Sequence, residues 1–350
     1  MEKIDIRSLD AEELQEWLVS LGEPKYRVKQ LYRWLRSGVT DWKDMTDLPL
    51  SLREKMEKGA YIADAKIVRR FVSELDETVK YVFELFDGEW IESVLMKYEH
   101  GYTVCISTQV GCRMGCAFCA SGIGGLIRSL TASEMLAQIT AIAKDRGIRV
   151  SNIVMMGMGE PLDNFEATIR FLQLVSDPDG LHIGLRHISL STSGVVSGID
   201  RLRDYPFPIT LSVSLHAPND EIRNRIMPVN KKWGVAELLA ACKRYQAVTT
   251  RRISFEYALI SGVNDSDACA AELAKRLKGM LCHVNLIPAN PVTEKQFQKP
   301  DQNKIYHFQE LLNQKGINAT VRRTLGADIN ASCGQLRKRA KEEDGIANLQ

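Results

Sequence analysis

A chain of 350 residues, 45% hydrophobic and 26% charged, has the composition of a globular enzyme with one large domain, or one large and one small. Its net charge is only +2, so any grip on nucleic acid must come from local basic patches. No apolar run reaches the ~18 residues of a membrane-spanning helix, and the charged start MEKIDIRSLDAEEL lacks the apolar core of a secretory signal, so no membrane association and a cytoplasmic location are expected.

Residues 1–64 read as a helical accessory domain. LDAEELQEWLVSLG opens on an acidic turn and stops at Gly22; KYRVKQLYRWLRSG carries apolar residues at helical spacing and stops at Gly38. The second helix bears Lys25, Arg27, Lys29, Arg33 and Arg36, interleaved with Tyr26, Tyr32 and Trp34. Two readings fit it: a solvated helix face, or a docking surface for RNA phosphates. Residues 65–98 read as a linker and hairpin extension. There VKYVFELFDGEWIESVLM predicts two strands turned at Asp87-Gly88.

Over residues 99–345 strands and helices alternate. TVCISTQV, NIVMMGM, HISLSTSG, ITLSVSL, ISFEYALI, HVNLIPA and ATVRRT are the apolar runs, and Thr131 with Glu134 predicts a capping box on one intervening helix. This alternation predicts an α/β fold with a parallel sheet and right-handed crossovers. Polar or Gly-rich clusters close several strands (QVGC, GMGEP, STSG, SLHAPND, PANP), and in a parallel barrel such ends build the active site.

Of 8 cysteines, three fall in GCRMGCAFCASG, at Cys112, Cys116 and Cys119. Their Cys-x3-Cys-x2-Cys spacing is unlike the paired Cys-x2-Cys of a zinc ribbon, and no second pair exists. An iron–sulfur cubane normally takes four thiolates, so three leave one iron open to a substrate. The spacing, with Phe118 before the last cysteine, resembles the signature of the radical S-adenosylmethionine (SAM) superfamily. That resemblance implies one [4Fe-4S] cluster and SAM, whose reductive cleavage yields a 5′-deoxyadenosyl radical. It also implies that GMGEP, residues 157–161, binds the amino group of SAM, with Glu160 able to pair with an ammonium.

Cys242, Cys269 and Cys282 sit in apolar patterns and read as buried small hydrophobes. Cys105 lies on a predicted strand. Cys333 lies in DINASCGQLR, a polar segment after the last strand, where a flexible loop could reach the barrel mouth.

ESVLM, CISTQVGCRMGCAFCASG, MMGMGEPLDN, ISLSTSGVV, SLHAPNDEIRNRIMPVN, NLIPANP and DINASCGQL occur in that order over residues 92–336. Together they resemble the dual-specificity RNA adenine-C2 methyltransferases, a radical SAM family acting on 23S rRNA and tRNA. The resemblance implies a partial (β/α)6 TIM-type barrel and two SAM per turnover. One SAM methylates Cys333. The other yields the radical that takes a hydrogen from the S-methyl group, whose carbon then adds to C2 of adenine. By the same resemblance Cys105 resolves the protein–RNA adduct as a disulfide with Cys333, Glu92 is the proton acceptor, and Gly159, Glu160, Ser191, Ser214, Leu215, His216 and Asn290 contact SAM. An electron donor such as flavodoxin is also implied.

The chemistry is coherent. Adenine C2 is not nucleophilic, so ordinary transfer from SAM would fail, whereas a carbon radical adds to it; a nearby thiol then permits release. On residue pattern alone, Glu92 reads as an exposed edge charge on a strand, and His216 as a satisfied strand-end histidine. The reacting base must leave its stack. Arg322 and Arg323, with Arg337, Lys338, Arg339 and Lys341, are further basic candidates for RNA contact, the last four reading equally as a solvated helix face. Two other functions stand beside this one: a C8-methylating 23S rRNA resistance enzyme, and a non-catalytic iron–sulfur RNA-binding or redox protein, which would need neither Cys105 nor Cys333.

Overall fold

The computed structural model describes residues 3–290, 292 and 296–336; Arg337, Lys338, Arg339 and Lys341 lie outside them. Near the N-terminus β1 (Ile4–Asp5) pairs in parallel with β2 (Ala60–Tyr61), tying off a unit of three helices. These are α1 (Ala11–Ser20), α2 (Arg27–Arg36) and α3 (Leu50–Gly59). A capping box of Asp10 and Glu13 starts α1. The helical spacing of Val28, Leu31, Tyr32 and Leu35 turns one face of α2 into a separate small core with Leu14, Leu18, Leu52 and Met56.

Not all five cations of α2 and its approach face water. Arg36 is buried and donates to the carbonyls of Arg7 and Leu9, both at 2.8 Å, while Arg33 pairs with Asp47 at 2.7 Å. Lys25 and Lys29 are exposed.

Ten strands form one sheet. Its first three are antiparallel: β3 (Lys66–Val72), β4 (Val79–Glu84) and β5 (Trp90–Tyr98). Asp87 and Gly88 make the β4–β5 turn, Gly88 with a φ of +81°. The two-strand expectation omitted β3, an edge strand whose Arg69 and Arg70 hide its alternation.

From β6 (Gly101–Cys105) the pattern changes. A short ribbon, β7 (Gln109–Gly111) with β8 (Leu126–Ser129), brackets the cysteine loop. The Thr131–Glu134 capping box then starts α4 (Ala132–Arg146). There follow β9 (Val150–Met155), α5 (Phe165–Ser176), β10 (Ile188–Thr192), α6 (Val196–Leu202), β11 (Thr210–Ser214), α7 (Asp220–Ile226), α8 (Val235–Thr249), β12 (Ile253–Leu259), α9 (Asp267–Leu277), β13 (Cys282–Pro288), α10 (Gln302–Gln314) and β14 (Ala319–Val321).

The order is β14-β13-β12-β11-β10-β9-β6-β5-β4-β3, and every pairing from β6 to β14 is parallel. Six helical crossovers thus link seven parallel strands. β6 and β14 are not neighbours, so the barrel is open. Leu190, Val213, Phe255 and Val284 belong to the main core, while the alternate positions Ser189, Ser191, Ser212, Ser214 and Glu256 line open space inside the barrel.

The small unit docks on α4 and α5. Arg170 of α5 binds Asp10 at 2.9 Å and Glu13 at 2.6 Å, Arg7 donates to Thr140 of α4 at 3.2 Å, and Tyr32 bonds Asp177. Among the described residues no helix is long and apolar enough to cross a membrane.

Candidate active site

The three clustered cysteines sit where a loop leaves β7. Gly111, just before Cys112, has a φ of +77°, and a Cβ there would lie 2.0 Å from the carbonyl oxygen of Gly125, so only glycine lets the ribbon close beneath the loop. Cys112, Cys116 and Cys119 all line one cavity of 160 Å3 at the C-terminal ends of the parallel strands.

Burial pushes all three thiols up, Cys112 to about 12. Neutral thiols are the stable form in so dry a site, and a cationic iron core reverses that preference by binding thiolates. Among the described residues no group of three or more His, Cys, Asp or Glu side chains is set to hold a single metal ion. Thiolates bonded to different irons of a cluster stand wider apart than thiolates on one ion. Three soft donors around a cavity therefore fit a cluster better than zinc.

The strand ends supply the rest of the wall. Gly159 takes a φ of +102°, and a Cβ there would press within 2.6 Å of Gln109, so the glycine lets the β9 loop seat against β7. Glu160 is buried beside it. Its carboxylate accepts from the backbone N–H groups of Ser193 at 2.6 Å and Leu162 at 3.1 Å. Burial raises its pKa, and these bonds oppose the rise.

Ser191, Ser214, His216 and Asn290 line the same cavity. His216 is buried, its Nδ1 accepts from the Ala258 N–H at 2.8 Å, and its ring meets Phe118 edge-on at 4.9 Å. Burial lowers its pKa to about 3, so the ring is neutral. Leu215 does not line the cavity. It is fully buried, and its backbone N–H and carbonyl bond the Glu256 oxygen and Arg223 Nε.

Cys333 reaches this wall as well. Its loop is held by hydrogen bonds and is not the free segment its composition suggested. The Asn290 amide donates to the Cys333 carbonyl at 3.0 Å, Ala120 N–H to Gly334 at 2.7 Å, and Ser121 Oγ to Leu336 at 2.6 Å.

Cys105 lies outside that cavity. It lines a smaller one of 40 Å3, which Cys333 also lines. All eight cysteines are free thiols. Burial pushes the Cys105 thiol up to about 12; the negative field of Cys333 adds to this and the Arg322 cation opposes it.

Glu92 is not an edge charge. β5 is an inner strand, and Glu92 is buried, 3.7 Å from the Lys80 ammonium, with both side chains 2% exposed. It shares a strand face with Val94 and Met96, which line the Cys105–Cys333 cavity. Lys80 also donates to the carbonyl of Asn330, at 3.3 Å, in the Cys333 loop.

Arg322 is placed differently from its neighbour. Arg323 is exposed, but Arg322 is partly buried, walls both cysteine cavities, and has its pKa raised by the field of Cys333 and by Glu256. Glu256 and Arg223 were not foreseen. A lone carboxylate within ISFEYALI signals an inward-facing polar site. Arg223, whose guanidinium bonds the carbonyls of Ser193, Ser214 and Leu215, carried no comparable signal in DEIRNRI.

Comparison with known proteins matches this arrangement. The profile of the Radical SAM superfamily covers residues 106–274, and that of the ribosomal RNA large subunit methyltransferase N-terminal domain covers residues 4–62. The probable dual-specificity RNA methyltransferase RlmN of Alkaliphilus oremlandii is 53% identical over 97% of this chain and 99% of its own length. Its counterpart in Thermoanaerobacter sp. is 50% identical, again over 97% of this chain and 99% of its own. The crystal structure of a radical SAM methyltransferase from Sphaerobacter thermophilus superposes with a TM-score of 0.91 at 47% identity, over 95% of this chain and 99% of that one.

Proposed function

The chain belongs to the dual-specificity RNA methyltransferases of the radical SAM superfamily, and on that footing we propose that it methylates C2 of a specific adenosine in 23S rRNA and in some tRNAs. One observation carries the reading: Cys333 lines both the cavity of the three clustered cysteines and the cavity of Cys105. A cysteine in both can take a methyl on one side and give up its adduct on the other.

A [4Fe-4S] cluster on Cys112, Cys116 and Cys119, with SAM, supplies one-electron cleavage of a carbon–sulfur bond when bound. The chain does the rest. Gly159 and Glu160, with Ser191, Ser214, His216 and Asn290, form the wall that orients SAM, and Leu215 contributes only through the backbone beneath it. Cys333 Sγ accepts a methyl from one SAM by displacement, and a second SAM is consumed in removing hydrogen from that methyl group. The carbon, still on sulfur, joins adenine C2. Glu92, held by Lys80 beside the same small cavity, takes the C2 proton, and the adduct's unpaired electron would return to the bound cluster, so that the ring is aromatic again. Cys105 then attacks the Cys333 sulfur; the carbon–sulfur bond breaks, its electron pair stays with the carbon, and that carbon takes up a proton to become the methyl group, leaving a Cys105–Cys333 disulfide that must be reduced before the next cycle. Reduction of the cluster calls for a donor such as flavodoxin, and substrates of this kind place the work in the cytoplasm.

The test is anaerobic reconstitution with SAM, a reductant and 23S rRNA or tRNA, followed by mass spectrometry of the modified nucleoside. 2-Methyladenosine is expected. Methyl at C8, or no methyl, would overturn the proposal.

A further inference from the structure

The barrel interior does not end at the cysteines. Toward the N-terminal ends of β10–β13 lies a larger space of 680 Å3. Closed parallel barrels fill their interiors with layers of branched apolar side chains. Here the inward positions are Ser189, Ser212, Ser254, His283 and Asn285. Met156, Glu256 and Arg322 wall both this vestibule and the cavity of the clustered cysteines, so the two spaces adjoin across these side chains. Tyr98, Met156 and Arg322 also wall the Cys105–Cys333 cavity.

Charge distinguishes the vestibule. Arg186, Arg251, Arg252 and Arg322 line it against a single carboxylate, Glu256. That carboxylate already accepts from Ser254 Oγ at 2.8 Å and Asn285 Nδ2 at 2.7 Å. Arg251 donates to the Ile209 carbonyl at 2.9 Å. Arg186 and Arg252 are exposed and make no hydrogen bond or ion pair among the described residues. Tyr98 and Phe207 add aromatic surface. Unpaired guanidiniums beside aromatic rings are the footprint of a single-stranded nucleic acid, whose phosphates and base faces they meet.

At the opposite end, bonds from Ala120, Ser121 and Asn290 to residues 333–336 tie the Cys333 segment to the cysteine loop and to the end of β13.

We propose that the RNA approaches from the N-terminal end of the barrel strands, its phosphates held by Arg186 and Arg252 while the reacting nucleotide passes up the serine-lined interior to Cys333. This rests on the methyltransferase reading above and adds the route. A nucleotide or two fits a space of this size, and the rest of the strand stays outside on the arginines. A free mononucleotide would need no such open mouth.

Two variants test it in the reconstituted holoenzyme. Arg186→Glu with Arg252→Glu changes exposed residues only. With fluorescein-labelled tRNA, affinity should fall about tenfold or more, and the salt slope should drop by roughly 0.7 per lost phosphate contact. SAM affinity should stay unchanged. Ser254→Phe should leave RNA binding near normal and cut methylation by about a hundredfold, because the base is held short of the sulfur. Wild-type RNA affinity, salt slope and turnover in both variants would overturn the route while leaving the methyltransferase reading intact. AMP binding as tightly as tRNA, and lost alongside it, would make the vestibule a mononucleotide site and also overturn it. Failure of the wild-type enzyme to methylate any RNA would strike the underlying reading instead.

Discussion

The side-chain amide of Asn290 donates to the backbone carbonyl of Cys333 at 3.0 Å, from a position on the wall of the clustered-cysteine cavity. One residue thus touches the space proposed for SAM and the loop proposed to carry the methyl group. Asn290→Ala removes a hydrogen bond of about 1 kcal/mol. Methyl loading of Cys333, read by intact-protein mass spectrometry, should fall more than SAM affinity does. A loss confined to SAM affinity would show that the bond to Cys333 has no part in positioning.

Cys333→Ala should abolish methylation while iron content and the cluster's visible absorbance persist. Four cysteines line the cavity, so a chain in which Cys333 were the fourth cluster ligand would lose iron in this variant. Iron loss would favour a closed, non-catalytic cluster.

Cys105→Ala leaves Cys333 in place and removes the thiol that lines the same small cavity. A covalent protein–RNA adduct is expected, visible as a shifted band on a denaturing gel after one turnover. Release of free methylated RNA at the wild-type rate would remove Cys105 from the resolving step.

The Lys80–Glu92 pair is too deeply buried to be ornamental. Removing one partner strands the other charge, at a cost of about 3–5 kcal/mol. Lys80→Met should lower the denaturation midpoint sharply, and Lys80→Met with Glu92→Leu should recover part of the loss without recovering methylation. Full activity in the double variant would exclude Glu92 as the proton acceptor.

His216 predicts a pH dependence. Its pKa in the folded chain, lowered to about 3 by burial, lies below the ordinary value of 6.5, so between the two the unfolded chain binds the extra proton. The stability it confers is complete above pH 6.5 and is lost as the pH falls toward 3. Within that window the unfolding free energy of the wild type should fall by up to about 1.4 kcal/mol per pH unit relative to His216→Asn. Parallel pH profiles for the two proteins would show that the imidazole is not held neutral.

Much of this was legible before folding. The cysteine spacing, the Thr131–Glu134 cap, the Asp87-Gly88 turn and each parallel strand followed from periodicity and turn chemistry, which are local properties. What escaped depended on which strands lie inside the sheet. Glu92 looks like an edge charge until β4 and β6 flank its strand, and Arg322 looks like half of an exposed pair until its place just after β14 sets it against the two cysteines. Arg36 resembles its basic neighbours in sequence, yet a one-sided helix sends it to the carbonyls of Arg7 and Leu9. Residue type names such groups, but only sheet order and helix facing decide their partners.

The bonds from Ala120 and Ser121 to Gly334 and Leu336 join the loop of the clustered cysteines to the loop of Cys333. The two loops therefore form one mechanical unit, and whatever displaces the three cysteines displaces Cys333 with them.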